Sequence, residues 1–347
     1  MGLYYRLAFS IGLGAIGGAV FYYFNLPLAW MLGAMTVTTF AALAGAPVTL
    51  YMPLRLSMTA VLGTLLGSAF TPQILDQLQY WSAGAVTIAV FVTLMTAISV
   101  TFLIRIGAMD RATAFFSGTP GGLGEMTLVG EQHGGDPRTI ALVHAIRIFV
   151  VVFLLPLILA NMADLDIPNT ARVLAGRPAA AGGELAILAA CAVVGYILGQ
   201  KLPLPGSQVF VPMMVSAAAY LAGFVEGRPP AELIALAQVI IGSAIGARFV
   251  GLDLAATARP IILGVISALG MLAMAAAFAY VVAPIFGLPI YALLLALSPG
   301  GLAEMSLIAL AMDVDTAFVA TMHLVRILLI VTLAPMFFRA MGWKTAK

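Results

Sequence analysis

A chain of 347 residues that is 63% hydrophobic and only 9% charged cannot be a water-soluble globule, in which charged residues make up about a quarter. Its net charge of +2, spread over scattered basic residues, gives no footprint for nucleic acid, and a single cysteine, Cys191, excludes an intramolecular disulfide. Charge-free runs at 83–103, 261–285 and 327–338 approach the roughly 20 residues a membrane-spanning helix needs and lack the alternation of barrel strands, so the expected class is an all-α polytopic membrane protein.

In chain order, the apolar run after Arg6 has no small-x-small cleavage pattern and leads straight into another apolar run, which makes it a first span and not a signal peptide. Breaks at charge, Pro and Gly predict spans near 3–24, 28–45, 54–70, 79–104 and 138–160, then near 184–200, 207–223, 232–249, 259–286 and 316–338. The polar interval 161–183, with Asp164, Asp166, Pro168, Arg172, Arg177 and Pro178, reads as a linker. It separates a first repeat, 1–160, from a second, 184–347.

The duplication rests on one offset. Adding 179 carries Glu125 to Glu304, Asp136 to Asp315, His144 to His323, Arg147 to Arg326, Pro156 to Pro335, and Gly63 and Gly67 to Gly242 and Gly246. Gapless agreement at so many positions is the mark of two tandem structural repeats.

Each repeat carries one short stretch that a lipid-facing helix would not tolerate: Thr119-Pro120-Gly121-Gly122-Leu123-Gly124-Glu125-Met126 and Ser298-Pro299-Gly300-Gly301-Leu302-Ala303-Glu304-Met305. These lie in elements at 112–131 and 290–312, between the fourth and fifth spans, and are expected to be discontinuous or re-entrant. If they re-enter, each half has five spans and the repeats are inverted; if they cross, each has six and the repeats are parallel. With the N-terminus inside, re-entry puts eleven basic loop residues inside and three outside, against ten and four for crossing. Loops bearing Arg105, Arg111 and Arg138 also have no basic counterpart in the second half, and those bearing Lys201, Arg248 and Arg259 have none in the first. Opposite bias in equivalent loops favours inversion.

A helix restarting at Leu123 or Leu302 would aim its N-terminus, with free N–H groups and the positive end of its dipole, into the protein, a site for an anion. The plain alternative is a proline kink that aids packing. Glu125 and Glu304 fall in the first turn of that helix, either as structural carboxylates on backbone donors or as proton or cation carriers. His144 with Arg147, and His323 with Arg326, are spaced to share one face of the fifth span. An arginine near the bilayer centre costs roughly 2.5–3.5 kcal/mol on insertion scales and must face the bundle. It serves either an ion pair with Glu125, Glu304, Asp136 or Asp315, or an anion, with the histidines as hydrogen-bonding or protonation partners. Asp136 and Asp315 read as helix caps, and the glycine pairs as packing faces. Thr119 and Ser298 are open to either a ligand or a neighbouring carbonyl. The three histidines have no ligand spacing and no phosphate-binding loop is present, so no metal or cofactor is expected.

The duplicated P-G-G-L-[GA]-E-M, the downstream D…H-x-x-R-I and the P-L-A-W-M-L-G-A-M segment from Pro27 resemble the AbrB family of bacterial inner-membrane proteins, over essentially the whole chain. In the second half Pro205-Gly206-Ser207-Gln208 replaces Pro27-Leu28-Ala29-Trp30, so the halves are not equivalent there. Members are labelled as regulators or as ammonia monooxygenases; the lack of a metal-ligand cluster argues against carrying the enzyme label over. The resemblance implies a transporter-type protein of the bacterial inner membrane. The expected function is a secondary transporter for a small anionic or zwitterionic solute, coupled to a proton or sodium ion. Its substrate-binding residues would be Thr119, Pro120, Gly121, Gly122, Glu125, His144, Arg147, Ser298, Pro299, Gly300, Gly301, Glu304, His323 and Arg326, with Glu125 and Glu304 as proton carriers and both chain termini cytoplasmic. A homo-oligomer is compatible with this reading. A channel on the same elements, or a membrane-bound enzyme or regulator, is the alternative.

Overall fold

The computed structural model describes residues 2–71, 74–162 and 178–343; Asp164, Asp166, Pro168, Arg172 and Arg177 of the expected linker lie outside them. Fourteen α-helices fill the described residues. In the first half they are α1 (Leu3–Tyr23), α2 (Ala29–Leu43), α3 (Met52–Gly67), α4 (Ile74–Arg105), α5 (Arg111–Gly118), α6 (Leu123–Gln132) and α7 (Pro137–Met162). The second half holds α8 (Gly183–Lys201), α9 (Ser207–Leu221), α10 (Ala231–Gly246), α11 (Leu254–Phe286), α12 (Ile290–Leu297), α13 (Leu302–Ala311) and α14 (Thr316–Ala340), with a 3₁₀ turn, Ala247–Phe249, after α10.

Seven helices among the described residues are long and apolar enough to cross a membrane: α1, α4, α7, α8, α10 with its 3₁₀ turn, α11 and α14. The chain is a helical membrane protein. Ten spans would require α2, α3 and α9 as well, which at 15 or 16 residues cover about 23 Å of a hydrocarbon core about 30 Å thick. These short helices lie inside the bundle. Gly63 and Gly67 lay α3 against α9, where a Cβ at Gly67 would meet the backbone of Met213 and Ala217 at 2.7 Å. Gly242 and Gly246 lay α10 on α2, against Met31, Met35 and Thr39. Close backbone approach of this kind needs residues without side chains. In both pairs the contacts advance together along the two chains, so α3 runs parallel to α9 and α10 to α2.

The long helices interleave in the same crossed fashion. α4 packs through Gly84 on Phe318 and Met322 of α14, and α11 through Gly264 on Ile146 of α7. α4 and α11, which hold the same place in each half, meet at a Ser99–Ser267 hydrogen bond of 3.0 Å and a Phe91–Phe278 ring contact at 5.2 Å. Moving back along α4 moves forward along α11, so these two helices are antiparallel.

The Pro-Gly-Gly stretches break the chain for a local reason. The residue before a proline is driven out of the helical region, and Thr119 (φ −78°, ψ 128°) and Ser298 (φ −61°, ψ 134°) are extended. Proline then offers no donor. Each stretch separates an eight-residue helix from a ten-residue one, and α12 and α13 start and end 179 residues after α5 and α6.

Candidate functional site

The direction of each broken pair follows from its bonds to the next long helix. His144 meets the Phe116 carbonyl at 2.8 Å and Arg147, one turn on, donates to the Thr119 carbonyl at 3.2 Å, so α5 runs parallel to α7. The N–H of Asp136, at the start of α7, donates to Thr113 Oγ1 at the start of α5, 2.8 Å away. The open ends of α5 and α6 are therefore together, and Pro120-Gly121-Gly122 forms the tip of a hairpin that dips to the level of Arg147. On the second half His323 meets the Leu295 carbonyl and Arg326 the Ser298 carbonyl, which fixes α12 parallel to α14 in the same way.

Each tip is clamped by its arginine. Arg147 Nη2 donates to the Gly121 carbonyl at 3.1 Å and to His144 Nδ1 at 2.7 Å; Arg326 Nη2 donates to Gly300 at 2.8 Å and to His323 Nδ1 at 2.9 Å. Every partner in the second set lies 179 residues after its counterpart. Because a guanidinium only donates and a carbonyl only accepts, each histidine carries its proton on Nε2 and receives the arginine on Nδ1. That is a neutral, fully engaged imidazole: it positions the arginine and has no nitrogen left for a ligand.

The partners of Arg147 and Arg326 are thus carbonyls and imidazoles, where sequence reasoning had offered Glu125, Glu304, Asp136 and Asp315 as ion-pair partners. The aspartates sit elsewhere, capping α7 and α14: Asp136 accepts from the N–H groups of Arg138 and Thr139, and Asp315 from that of Phe318. Thr119 and Ser298 turn their hydroxyls to the carbonyls of Phe115 and Leu294, each at 2.7 Å, which is the carbonyl reading and not the ligand one. Both guanidinium groups are buried, their Nε atoms have no partner among the described residues, and they lie close enough to repel one another. Two clamped cations thus lie within electrostatic reach of each other.

Glu125 and Glu304 fold back over the helix starts. A Cβ on Gly122 or Gly301 would strike the Oε2 of the glutamate three residues on, so glycine is required at both places while the carboxylate stays there. Among the described residues no side chain caps α6 or α13, which leaves their first N–H groups without a side-chain partner there. The glutamates differ in surroundings: Glu304 is 7% exposed, Glu125 half-buried. Arg248, in the 3₁₀ turn after α10, lies within electrostatic reach of both Glu304 and Arg55. Buried Nη1 of Arg248 and Nε of Arg55 are without partners among the described residues. Sequence reasoning missed these two as site residues because the offset gives them Ala69 and Ile234 as counterparts. The signal available was a charge at the end of an apolar helix that the other half does not share.

What the fold and site define is a helical membrane protein with two arginine-clamped hairpins at its centre. Residues 30–342 match the family model described as "Transition state regulatory protein AbrB". The chain belongs to that family. It is similar to YhjN, an uncharacterized protein of Bacillus subtilis (strain 168), at 25% identity over 95% of this chain and 91% of the relative. It is also similar to a protein of Escherichia coli (strain K12) named as a candidate regulator, AbrB, at 26% identity over 95% of this chain and 92% of the relative.

Proposed function

We propose that the protein is a secondary transporter for a small anionic or zwitterionic solute, set in the bacterial inner membrane with both termini cytoplasmic. Two inverted repeats would alternate access around the hairpin tips. The observation that carries this reading is the pair of buried arginines that lie within electrostatic reach of each other and, among the described residues, have no carboxylate among their partners. Such a concentration of positive charge is tolerated when an anion completes it. The uncapped starts of α6 and α13 add to the same field. Antiparallel α4 and α11 support inversion, since equivalent helices of parallel repeats would run in the same direction.

The coupling ion follows from the same bonds. In broken-helix transporters the carbonyls freed at a break can coordinate sodium; here the carbonyls of residues 119, 121, 298 and 300 are taken by guanidinium groups. A built-in cation occupies the place of sodium, and a proton carried by Glu304 is the coupling ion we favour. Solute is carried unchanged, without catalysis.

The test is uptake of organic acids and amino acids into liposomes under an imposed pH gradient. Wild type is expected to accumulate a solute, and Glu304→Gln to exchange it without concentrating it. Binding without movement would instead identify a solute-sensing regulator, the role that the family description names, and flux that neither saturates nor shows counterflow would identify a channel.

A further inference from the structure

A second site lies outside the hairpin centre. α4 and α14 touch where Gly84 meets Phe318 and then part, leaving a cavity of about 440 Å³ between them and α5. That volume is within the roughly 300–1,000 Å³ of ligand pockets. The lining is apolar for a reason visible in its threonines. Thr93, Thr101 and Thr119 donate their hydroxyls to the carbonyls of Ala89, Ala97 and Phe115, and so show the cavity their methyl groups. The opposite wall is Ile330, Ala334, Phe337 and Met341, one stripe of α14. Such a lining, with Thr96 its one further hydroxyl, offers a polar solute little. Several lining side chains, Leu333, Phe337 and Met341 among them, are also 37–54% exposed on membrane-spanning helices, so the cavity opens sideways to lipid.

One end is of a different chemistry. Ala89, Thr93, Ala97 and Thr101 line the cavity at intervals of four, and Arg105 is the next residue on that stripe. Arg111 lies over the ring of Trp343, its guanidinium carbon 5.6 Å from the centroid, and Trp343 lines the same end. The nearby carboxylate of Asp110 is engaged with the N–H of Thr113. From Ala89 to Arg105 the helix rises about 24 Å, which carries the cavity from an interfacial depth past the midplane of a core about 30 Å thick. An apolar slot open to the bilayer, with two arginines and a tryptophan at its interfacial end, matches an amphiphile with an anionic head.

We propose that this cavity binds an anionic phospholipid, its phosphate held by Arg105 and Arg111 and one acyl chain lying between α4 and α14 and passing Thr119 at the first hairpin tip. The site is independent of which solute, if any, the hairpins carry. It is tested on the full chain with Trp343 as the only tryptophan, made by Trp30→Phe and Trp81→Phe, in bilayers containing lipids brominated near the head of the chain. Brominated phosphatidylglycerol is expected to quench Trp343 at a several-fold lower mole fraction than brominated phosphatidylcholine. Arg105→Gln with Arg111→Gln should abolish that preference, and Ala97→Phe should weaken quenching by both lipids. Should the tryptophan variants fail to fold, native mass spectrometry of otherwise unaltered protein gives the same answer: a retained phosphatidylglycerol that the double arginine variant loses. Equal quenching by the two lipids, or retention unaffected by the arginines, would overturn the proposal. So would a dimer that buries this face with no lipid bound.

Discussion

The two hairpins have one skeleton and two environments. In both, an arginine spans two tip carbonyls, a histidine orients it, and a glutamate lies over an N-cap glycine, with every partner displaced by 179 residues. Around that skeleton the likeness stops. All ten residues of α13 are buried, whereas on α6 Gly124 is exposed, Leu128 is 57% exposed and Glu125 is half-buried. The skeleton is made of bonds a hairpin makes to its own half; the burial depends on what the rest of the bundle lays over it.

The largest test of the comparison removes the clamps. Arg326→Ala orphans the Gly300 carbonyl and a histidine nitrogen and leaves the Ser298 carbonyl only the Gly300 N–H, each buried orphan costing roughly 1–3 kcal/mol, so a loss of about 2 kcal/mol or more is expected, read as a fall in melting temperature in detergent. Arg147→Ala should lose less, because water can follow the exposed start of α6 to the freed carbonyls. Lysine should rescue neither, since one ammonium does not reproduce the fork that spans two carbonyls and an imidazole. Equal losses in the two halves would mean that their difference in burial has no energetic weight.

A smaller effect is expected at the N-caps. Gly301→Ala drives a methyl group into the carboxylate of Glu304, which is buried and has nowhere to turn; overpacking of this kind costs about 1–3 kcal/mol. Gly122→Ala meets the same atom of Glu125, but that side chain is half-exposed and can swing away, so the cost should stay below about 1 kcal/mol. In Gly301→Ala with Glu304→Ala the loss should be largely recovered. Additivity of the two substitutions would show that the clash is not with the glutamate.

What could be read from the sequence follows the same division between skeleton and environment. The breaks at Pro120 and Pro299 were legible because they are properties of proline and the residue before it, and the helical, membrane-spanning class follows from runs such as 261–285. The identity of the arginine partners was not. Spacing put His144 and Arg147 on one face, but nothing in the chain's order says that the other side of that face holds the carbonyls of 119 and 121 and no carboxylate. Arg55 and Arg248 escaped because a search by repetition finds what two halves share. The burial of Glu304 against the partial exposure of Glu125 was invisible for the opposite reason: the motifs around them are nearly identical.

The finest contrast between the halves is at the hairpins' exits, where Asp136 and Asp315 cap equivalent helices and titrate in opposite senses. At Asp136 burial pushes the carboxyl up, but the hydroxyl and N–H of Thr139, the N–H of Arg138 and the charge of Arg138 together outweigh it and hold the group below its ordinary value. At Asp315 burial prevails over the N–H groups of Phe318 and Ala317 and holds the group above it. With an unfolded carboxyl near 3.9, the stabilisation from Asp136 is complete above that pH and is lost as pH falls through the lower folded value. The contribution of Asp315 is most favourable below the unfolded value and declines as pH rises through the higher folded one. Asparagine keeps the cap in both places, so Asp136→Asn and Asp315→Asn isolate the charge, with effects on the order of a few tenths of a kcal/mol to 1 kcal/mol. Relative to wild type, Asp136→Asn should melt lower as pH rises to about 4 and then hold that deficit, while Asp315→Asn should melt progressively higher as pH rises above about 4. Displacement of both curves in the same direction would show that the second hairpin's exit is no drier than the first's, and that the burial difference between the halves ends at α13.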